Sequence, residues 1–243
     1  MAAATPSTQF PSEGKRIKAR EAGRPGQAPP KRAAPFRCRL VVMVKVPETG
    51  RVKTRLAHEI GDVRAAWFYR HTTAAVLARL ARPGRWQTFL AVSPDAGIRH
   101  AFWPPELARL RQGSGDLGQR MQRAMQSHGP GPVIIVGTDV PAIRPSHIAA
   151  AFKSLGDCDA VFGPATDGGY WLVGQRRRPR ELEIFRNVRW STPNALADTL
   201  RNLRGCRIGF VATLSDVDTA EDWKHVAAWC GRRVLPIPDC TTL

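Results

Sequence analysis

Several things are missing from this sequence of 243 residues, and each absence narrows what it encodes. No apolar run approaches the roughly 18 residues a membrane-spanning helix needs; the longest, near residues 40–44 and 133–136, are strand-sized. The five cysteines, Cys38, Cys158, Cys206, Cys230 and Cys240, are odd in number and widely spaced, with no C-x-x-C pair. That excludes a disulfide framework and a zinc knuckle, and it fits a reducing, cytoplasmic compartment. The six histidines show no H-x-x-x-H or other metal-pair spacing, so each reads as a surface or core residue. Cys158 lacks a partnering histidine, which argues against a thiol nucleophile. No internal repeat is visible, and G-x-x-x-x-G-K-[ST] is absent.

Acidic residues are also scarce: 20 Asp and Glu against 37 Lys and Arg, a formal charge of +17. Such an excess points to a polyanionic partner. Residues 1–35 hold seven of the basic residues against Glu13 and Glu21, so +5 of the total belongs to this segment. The same stretch carries six prolines, with Phe10 and Ile17 its large apolar residues. It cannot bury enough surface to offset its ordering entropy, so residues 1–36 are expected to be a disordered basic Pro/Ala-rich tail. No apolar segment follows its charges, which speaks against a secretory signal. Aromatic stacking platforms are not interleaved with its cations, so nucleic acid is not the expected partner. The remaining +12 is dispersed, Arg-heavy and spread over residues 36–243.

From residue 39 the pattern alternates strand and helix. The run 39–46 (R-L-V-V-M-V-K-V) is a continuous apolar strand of the kind buried on both faces of a parallel sheet. Apolar residues at Val63, Ala66, Trp67, Ala74, Leu77 and Leu80 recur at helical spacing behind a candidate cap, Asp62. Further strands are expected at 86–92, 133–137, 160–163, 170–173 and 208–211. Helices are expected behind Asp116, from Pro145 to about 152, from Thr192 to about 203, and behind Thr219, carrying Trp223, Val226 and Ala227. The expected fold is a three-layer α/β/α sandwich, and in such sheets ligands lie beyond the carboxyl ends of the strands.

Four segments lie at such ends. Behind the first strand, K-V-P-E-T-G-R-V-K-T-R-L (45–56) crowds Lys45, Arg51, Lys53 and Arg55 around a turn shaped by Pro47 and Gly50. Backbone N–H groups with fixed cations are how loops hold pyrophosphate. G-T-D-V-P (137–141) puts Asp139 at a strand exit, where a carboxylate can hold a divalent cation or begin an Asx turn. In G-P-A-T-D-G-G-Y-W-L-V-G (163–174), Asp167-Gly168-Gly169 is a hairpin turn or a place where ligand approaches backbone closely. In L-S-D-V-D-T-A-E-D-W (214–223), Thr219 and Asp222 make a capping box with Asp in place of Glu; that box leaves Asp216 and Asp218 unexplained. Trp190-Ser191-Thr192 either lines a pocket or caps a helix, and the Arg176–Arg178 run with Arg180 reads as a solvated loop, with phosphate contact as the alternative.

The ordered series K-x-P-x-x-G-R-V-K-T-R-L, G-D-L-G-Q-R-M, V-G-T-D-V-P, G-P-A-T-D-G-G-Y-W-L-V-G, W-S-T-P and D-V-D-T-A-E-D resembles the bacterial rSAM/selenodomain-associated transferases, also labelled arsenosugar-biosynthesis glycosyltransferases. The likeness spans about residues 40–229. Thr49 stands where that family usually has a second proline, and Ala220 where it usually has proline. The family resembles the GT-A nucleotide-diphospho-sugar transferase fold, Rossmann-like with a mostly parallel mixed sheet, and is similar to 2-phospho-lactate guanylyltransferase and to molybdenum-cofactor nucleotidyltransferases. The resemblance implies one such domain over residues 37–243, with a nucleotide at the first loop and Mg²⁺ or Mn²⁺ beside its phosphates. It implies phosphate contacts from Lys53 and Arg55, within a nucleotide site of Lys45, Pro47, Gly50, Arg51, Lys53 and Arg55. Asp139 and Asp218 become metal ligands, and Asp116, Gly168, Gly169 and Tyr170 face the sugar or acceptor.

Two reactions fit those residues. In glycosyl transfer from a nucleotide sugar to a small-molecule acceptor, Asp139, Lys53 and Asp167 are the catalytic candidates, with Asp167 or Asp116 orienting or deprotonating the hydroxyl. In nucleotidyl transfer from a nucleoside triphosphate, the same cations face an α-phosphate under in-line attack and a leaving pyrophosphate. A non-catalytic nucleotide- or nucleic-acid-binding protein is the third reading.

Overall fold

The computed structural model describes Met1, residues 37–81 and residues 84–224. Apart from Met1, the tail expected over 1–36 lies outside the described residues, as does the last expected helix beyond Lys224, with Val226 and Ala227.

The elements are β1 (Arg39–Lys45), α1 (Thr54–Ile60), α2 (Asp62–Leu80), β2 (Gln87–Ser93), a 3-10 turn (Asp95–Arg99), β3 (Ala108–Arg111), α3 (Leu117–Gln126), β4 (Val133–Val136), α4 (Pro145–Ser154), β5 (Ala160–Pro164), β6 (Tyr170–Gln175), α5 (Ala195–Arg201) and β7 (Ile208–Phe210). One sheet holds all seven strands in the order β3-β2-β1-β4-β6-β5-β7. Every pairing is parallel except those of β6, which runs antiparallel to β4 and to β5. The sheet is therefore mixed and mostly parallel, as expected from the unalternating apolar runs.

The two faces of β1 show how such a run builds three layers. Leu40, Val42 and Val44 pack with Val76, Leu77 and Leu80 of α2, with Ile148 and Ala151 of α4 and with Leu155 just after it. Val41 points the other way, into a cluster with Met121, Ala124 and Met125 of α3 and, at its margin, Leu196 and Leu200 of α5. Each such side chain contributes about 1.5–3 kcal/mol by leaving water. Among the described residues, no helix is long and apolar enough to cross a membrane.

Some expected boundaries move. Asp62 is the first residue of α2, not its cap, because Gly61 occupies the N-cap position. The helix expected from Thr192 begins at Ala195, since the Thr192 hydroxyl donates back to the Arg189 carbonyl and closes a separate turn. Asp116 does cap α3, in a reciprocal box with Gln119.

Candidate functional site

Four chain segments converge at the carboxyl edge of β1 and β4, and the packing beneath them explains why. Val217 is fully buried among Leu56, Ala57, Ala65 and Phe68, the knot where α1 meets α2. Its N–H donates to the carbonyl of Asp139 at 3.1 Å, so the 216–218 segment is tied both to the α1–α2 knot and to the β4 exit loop. Farther back the same segment extends the sheet. Leu214 bridges Ala165 beyond β5, and the Thr166 hydroxyl reaches Ser215 at 3.3 Å.

Lys53 stands where these ties meet. It occupies the N-cap of α1 in the left-handed conformation, φ 48 and ψ 46, and only 6% of its side chain is exposed. Its ammonium touches Asp139 Oδ1 at 2.7 Å and Asp218 Oδ1 at 2.9 Å. Burial alone would push this amine toward neutrality, but Asp139 and then Asp218 outweigh that and hold its pKa above the ordinary lysine value. Both carboxylates remain partly open, with 53% and 36% of their side chains exposed. Arg55 lies 3.4 Å from Asp218 Oδ2 and is mostly exposed.

The loop between β1 and α1 supplies the other expected cations. Gly50 has φ 76, a conformation glycine adopts without cost, and Arg51 N–H donates to the Glu48 carbonyl to close the turn behind Pro47. The Arg51 guanidinium pairs with Glu48 at 3.2 Å, while Lys45 is exposed. A buried hydroxyl fixes the base of this loop: Tyr69 accepts from the Lys45 N–H at 2.8 Å and donates to the Lys45 carbonyl at 3.2 Å. Burial pushes the Tyr69 phenol up, and Thr73 bonds Thr138 beside it at 3.3 Å. Helix α2 thus clamps the exits of β1 and β4 together.

The β5–β6 hairpin adds Asp167, exposed, whose Oδ1 accepts from the Gly169 N–H at 2.8 Å in an Asx turn. Gly168 has φ 85, and a Cβ there would lie 2.3 Å from the Pro193 carbonyl oxygen. The hairpin is therefore pressed against the 190–193 segment, and Leu196 N–H also reaches the Gly168 carbonyl at 3.2 Å. A Cβ on Gly118 would meet the Trp190 ring at 2.7 Å, so the start of α3, with exposed Asp116, abuts the same segment.

Two residues differ from their expected roles. Tyr170 does not present its hydroxyl to an acceptor: the ring packs edge-on against Phe162 and Trp190, the hydroxyl meets Thr199 at 3.3 Å, and burial pushes its pKa up. Arg177 is no part of a solvated loop; it is buried and bonds the carbonyls of His128 and Gly129.

One residue that the sequence singles out without a role, Asp216, gains a setting here, and one contact escapes the sequence. Asp216 is half-buried, and burial followed by the charges of Asp218 and Asp167 raises its pKa, so the carboxylates of the hairpin and the 216–218 segment feel one another. Glu59 accepts the Ala220 N–H at 3.0 Å, a bond that the proline usual in the resembling family could not donate. The D-V-D-T-A-E-D run was a signal for the first; nothing local signalled the second. The capping box is present: Asp222 Oδ2 accepts from the Asp218 and Thr219 backbone, and Thr219 Oγ1 accepts in return from Asp222.

The fold has known counterparts among nucleotide-handling transferases. A protein from Desulfovibrio desulfuricans G20, provisionally assigned as a nucleotide-diphospho-sugar transferase, is 29% identical and superposes with a TM-score of 0.74 over 81% of this chain and 88% of that one. A nucleotidyl transferase from Methanothermobacter is 14% identical, TM-score 0.52, over 79% of this chain and 97% of its own. A 4-diphosphocytidyl-2C-methyl-D-erythritol synthase from Anaerococcus prevotii is 10% identical, TM-score 0.51, over 81% and 99%. The last two show the fold alone. Residues 76–192 match the family DUF2064, described as an uncharacterized protein conserved in bacteria. No curated protein matches the chain. Neither the family description nor these three structures names an arsenosugar.

Proposed function

We propose that the chain transfers a glycosyl group from a nucleotide-diphospho-sugar to a hydroxyl of a small-molecule acceptor. The observation that carries this reading is the buried Lys53 ammonium held between Asp139 and Asp218 beside the 47–50 turn. It is supported by the 29% identity to the nucleotide-diphospho-sugar transferase-like protein.

In this reading Lys53 and Arg55, with Lys45 and Arg51 farther out, bind the diphosphate and stabilise it as it departs. The anomeric carbon–oxygen bond to the phosphate breaks as the acceptor oxygen bonds that carbon. The acceptor proton passes to Asp167 or to Asp116, and nucleoside diphosphate leaves. Asp167 stands on the tight hairpin, where Gly168, expected to face the sugar, is instead packed against the Pro193 backbone and so fixes the position of the Asp167 carboxylate. Asp116 can serve only with the carboxylate oxygen its helix cap leaves free.

The donor set suits a divalent cation. Asp139 and Asp218 converge, stay partly exposed and offer hard oxygen, and Mg²⁺ is commonly bound by one or two carboxylates plus substrate phosphates. Among the described residues no three acidic, His or Cys side chains form a cage, so substrate phosphates and water would complete the shell. Bound there, Mg²⁺ or Mn²⁺ supplies Lewis-acid stabilisation of phosphate charge.

The test is a panel of nucleotide sugars and nucleoside triphosphates, each with Mg²⁺, Mn²⁺ or EDTA. Release of nucleoside diphosphate from a nucleotide sugar, lost in EDTA, is expected. Pyrophosphate release from a triphosphate would sink glycosyl transfer and make nucleotidyl transfer the reaction. Asp139→Asn and Asp218→Asn should each cut metal-dependent turnover at least about 100-fold with the fold intact. Near wild-type turnover in either removes that residue from the metal set.

A further inference from the structure

The two strands that carry the carboxyl-edge site diverge before they reach it. β4 ends at Val136, opposite Val42, while β1 runs on through Met43 and Val44 to Lys45. Beyond Val136 the β4 chain leans toward β6, and the Gly137 N–H donates to the Trp171 carbonyl at 3.4 Å. Along a strand, the backbone groups of successive residues point to alternate neighbours. Val46 N–H donates to Ser93 of β2 at 2.9 Å, so Lys45 turns its own N–H and C=O the other way, into the gap that β4 leaves. Unpaired there, both groups would carry a desolvation cost.

Helix α2 fills the gap with hydroxyls. Tyr69 and Thr73 stand one helical turn apart on its buried face, 5% and 0% exposed. The Tyr69 hydroxyl accepts from the Lys45 N–H at 2.8 Å and donates to the Lys45 carbonyl at 3.2 Å, replacing both bonds that a longer β4 would make. The Thr73 hydroxyl donates to Thr138 Oγ1 at 3.3 Å, and Thr138 is itself buried. Burial, helped by the charge of Asp139, outweighs the bonds from Lys45, Thr138 and Thr73 and holds the phenol above the ordinary tyrosine value. The phenol therefore keeps the proton it gives to the Lys45 carbonyl.

These hydroxyls link the two halves of the site. Lys45 opens the turn that bears Arg51 and Lys53, and the Tyr69 ring packs on Val52 farther along the same loop. Thr138 is the residue directly before Asp139. The Lys53–Asp139 ion pair joins the same two exits, but half of the Asp139 side chain is open to water. Bound phosphate and metal would compete for both members of that pair. The hydroxyl chain is neutral, buried and untouched by such competition.

We infer that Tyr69 and Thr73 are positioning residues, whose hydroxyls set the gap between the 45–53 loop and Asp139. The inference rests on the assignment of diphosphate to that loop and metal to Asp139, and not on which group is transferred. The test is calorimetric titration of the full chain with pyrophosphate, in Mg²⁺ and in EDTA. Tyr69→Phe deletes one oxygen, keeps the ring in place, and should weaken pyrophosphate binding in Mg²⁺ about tenfold or more. Thr73→Val cuts the link to Thr138 and leaves both Lys45 bonds. It should weaken binding in Mg²⁺ and leave binding in EDTA within about twofold of wild type, a split that loosened packing would not produce. Thr73→Ser, which restores the hydroxyl, should recover the wild-type affinity. Thermal melting checks each fold, and Thr73→Val reads the same link if Tyr69→Phe does not fold. A folded variant that binds magnesium pyrophosphate like wild type overturns the proposal, as does equal weakening by Thr73→Val with and without metal. If wild type itself binds no pyrophosphate in Mg²⁺, the site assignment fails and the proposal with it. Glycosyl transfer is read separately, by product release.

Discussion

Lys53 carries two separable burdens, a charge and a backbone shape. Its ammonium neutralises Asp139 and Asp218, while its φ of 48 puts a Cβ in the left-handed region at a cost of about 1–2 kcal/mol. Lys53→Ala and Lys53→Gly both delete the charge, but glycine also relieves the backbone. Turnover should fall about 100-fold or more in both, and urea unfolding should show the glycine variant more stable than the alanine variant by about 1 kcal/mol. Equal stabilities would mean that α1 begins differently in solution. His128 offers a second test at this scale, in the acid range. The unfolded chain takes up a proton at the ordinary histidine value near 6.5, but the native imidazole, held down by burial and then by Arg39 and Arg177, resists until about 4. Stability is therefore whole above that ordinary value and declines as the pH falls through the window between the two. Allowing for solvent screening, wild type should lose about 1–2 kcal/mol more than His128→Leu between pH 7.5 and 5. Parallel loss in both proteins would place the acid sensitivity elsewhere.

Elements make the acceptor side of the site, and there the β5–β6 hairpin is the part least tolerant of change. Gly168→Ala adds a Cβ at φ 85 that would lie 2.3 Å from the Pro193 carbonyl, a backbone atom with no rotamer to escape into. A loss of about 2–3 kcal/mol is expected, with KM for the acceptor rising more than KM for the nucleotide sugar; thermal melts and steady-state kinetics read the two effects. Asp198 braces the other side: it is buried, accepts from the Arg189 backbone and guanidinium and from Arg201, and Arg189 holds its carboxyl well below the usual range. What the sequence disclosed about these elements follows from pattern length. α2, α3 and α4 carry enough apolar repeats to declare a helical period, and β1 and β4 declare themselves as unbroken apolar runs. α1, T-R-L-A-H-E-I, has seven residues and starts behind a left-handed lysine, so the sequence pattern assigns no element there. β3, A-R-L-R, lies at the sheet edge with arginines on a half-exposed surface and looked like neither period. The 190–193 segment read as a helix start because Thr-Pro is a good one; the Arg189–Asp198 clamp that delays the helix joins residues nine apart and leaves no local mark.

Across the whole molecule, the sequence places functional residues at strand exits but not against one another. Lys53 and Asp218 are 165 positions apart, and the burial of Val217 in the α1–α2 knot, with its N–H on the Asp139 carbonyl, brings them together. For that reason the cation and the two carboxylates were read from sequence as separate ligands, one for phosphate and two for metal, instead of one ion-paired group. The same view divides the +17 by depth. Lys53 is screened from salt by burial, whereas Lys45, Arg51 and Arg55 are exposed. Screening acts on exposed charges, over lengths falling from about 10 Å at 0.1 M to about 3 Å at 1 M. Outer-loop cations should therefore govern capture of the nucleotide sugar, and the buried one the chemical step. Raising salt from 0.1 to 0.5 M should increase KM for the nucleotide sugar several-fold, roughly three- to tenfold, with kcat changed less than about twofold. In Lys45→Ala/Arg51→Ala the salt dependence should flatten, since its charged contacts are already gone. If kcat falls in step with kcat/KM as salt rises, the charge that matters to the chemistry is an exposed one, and Lys53 is not the group that stabilises the departing diphosphate.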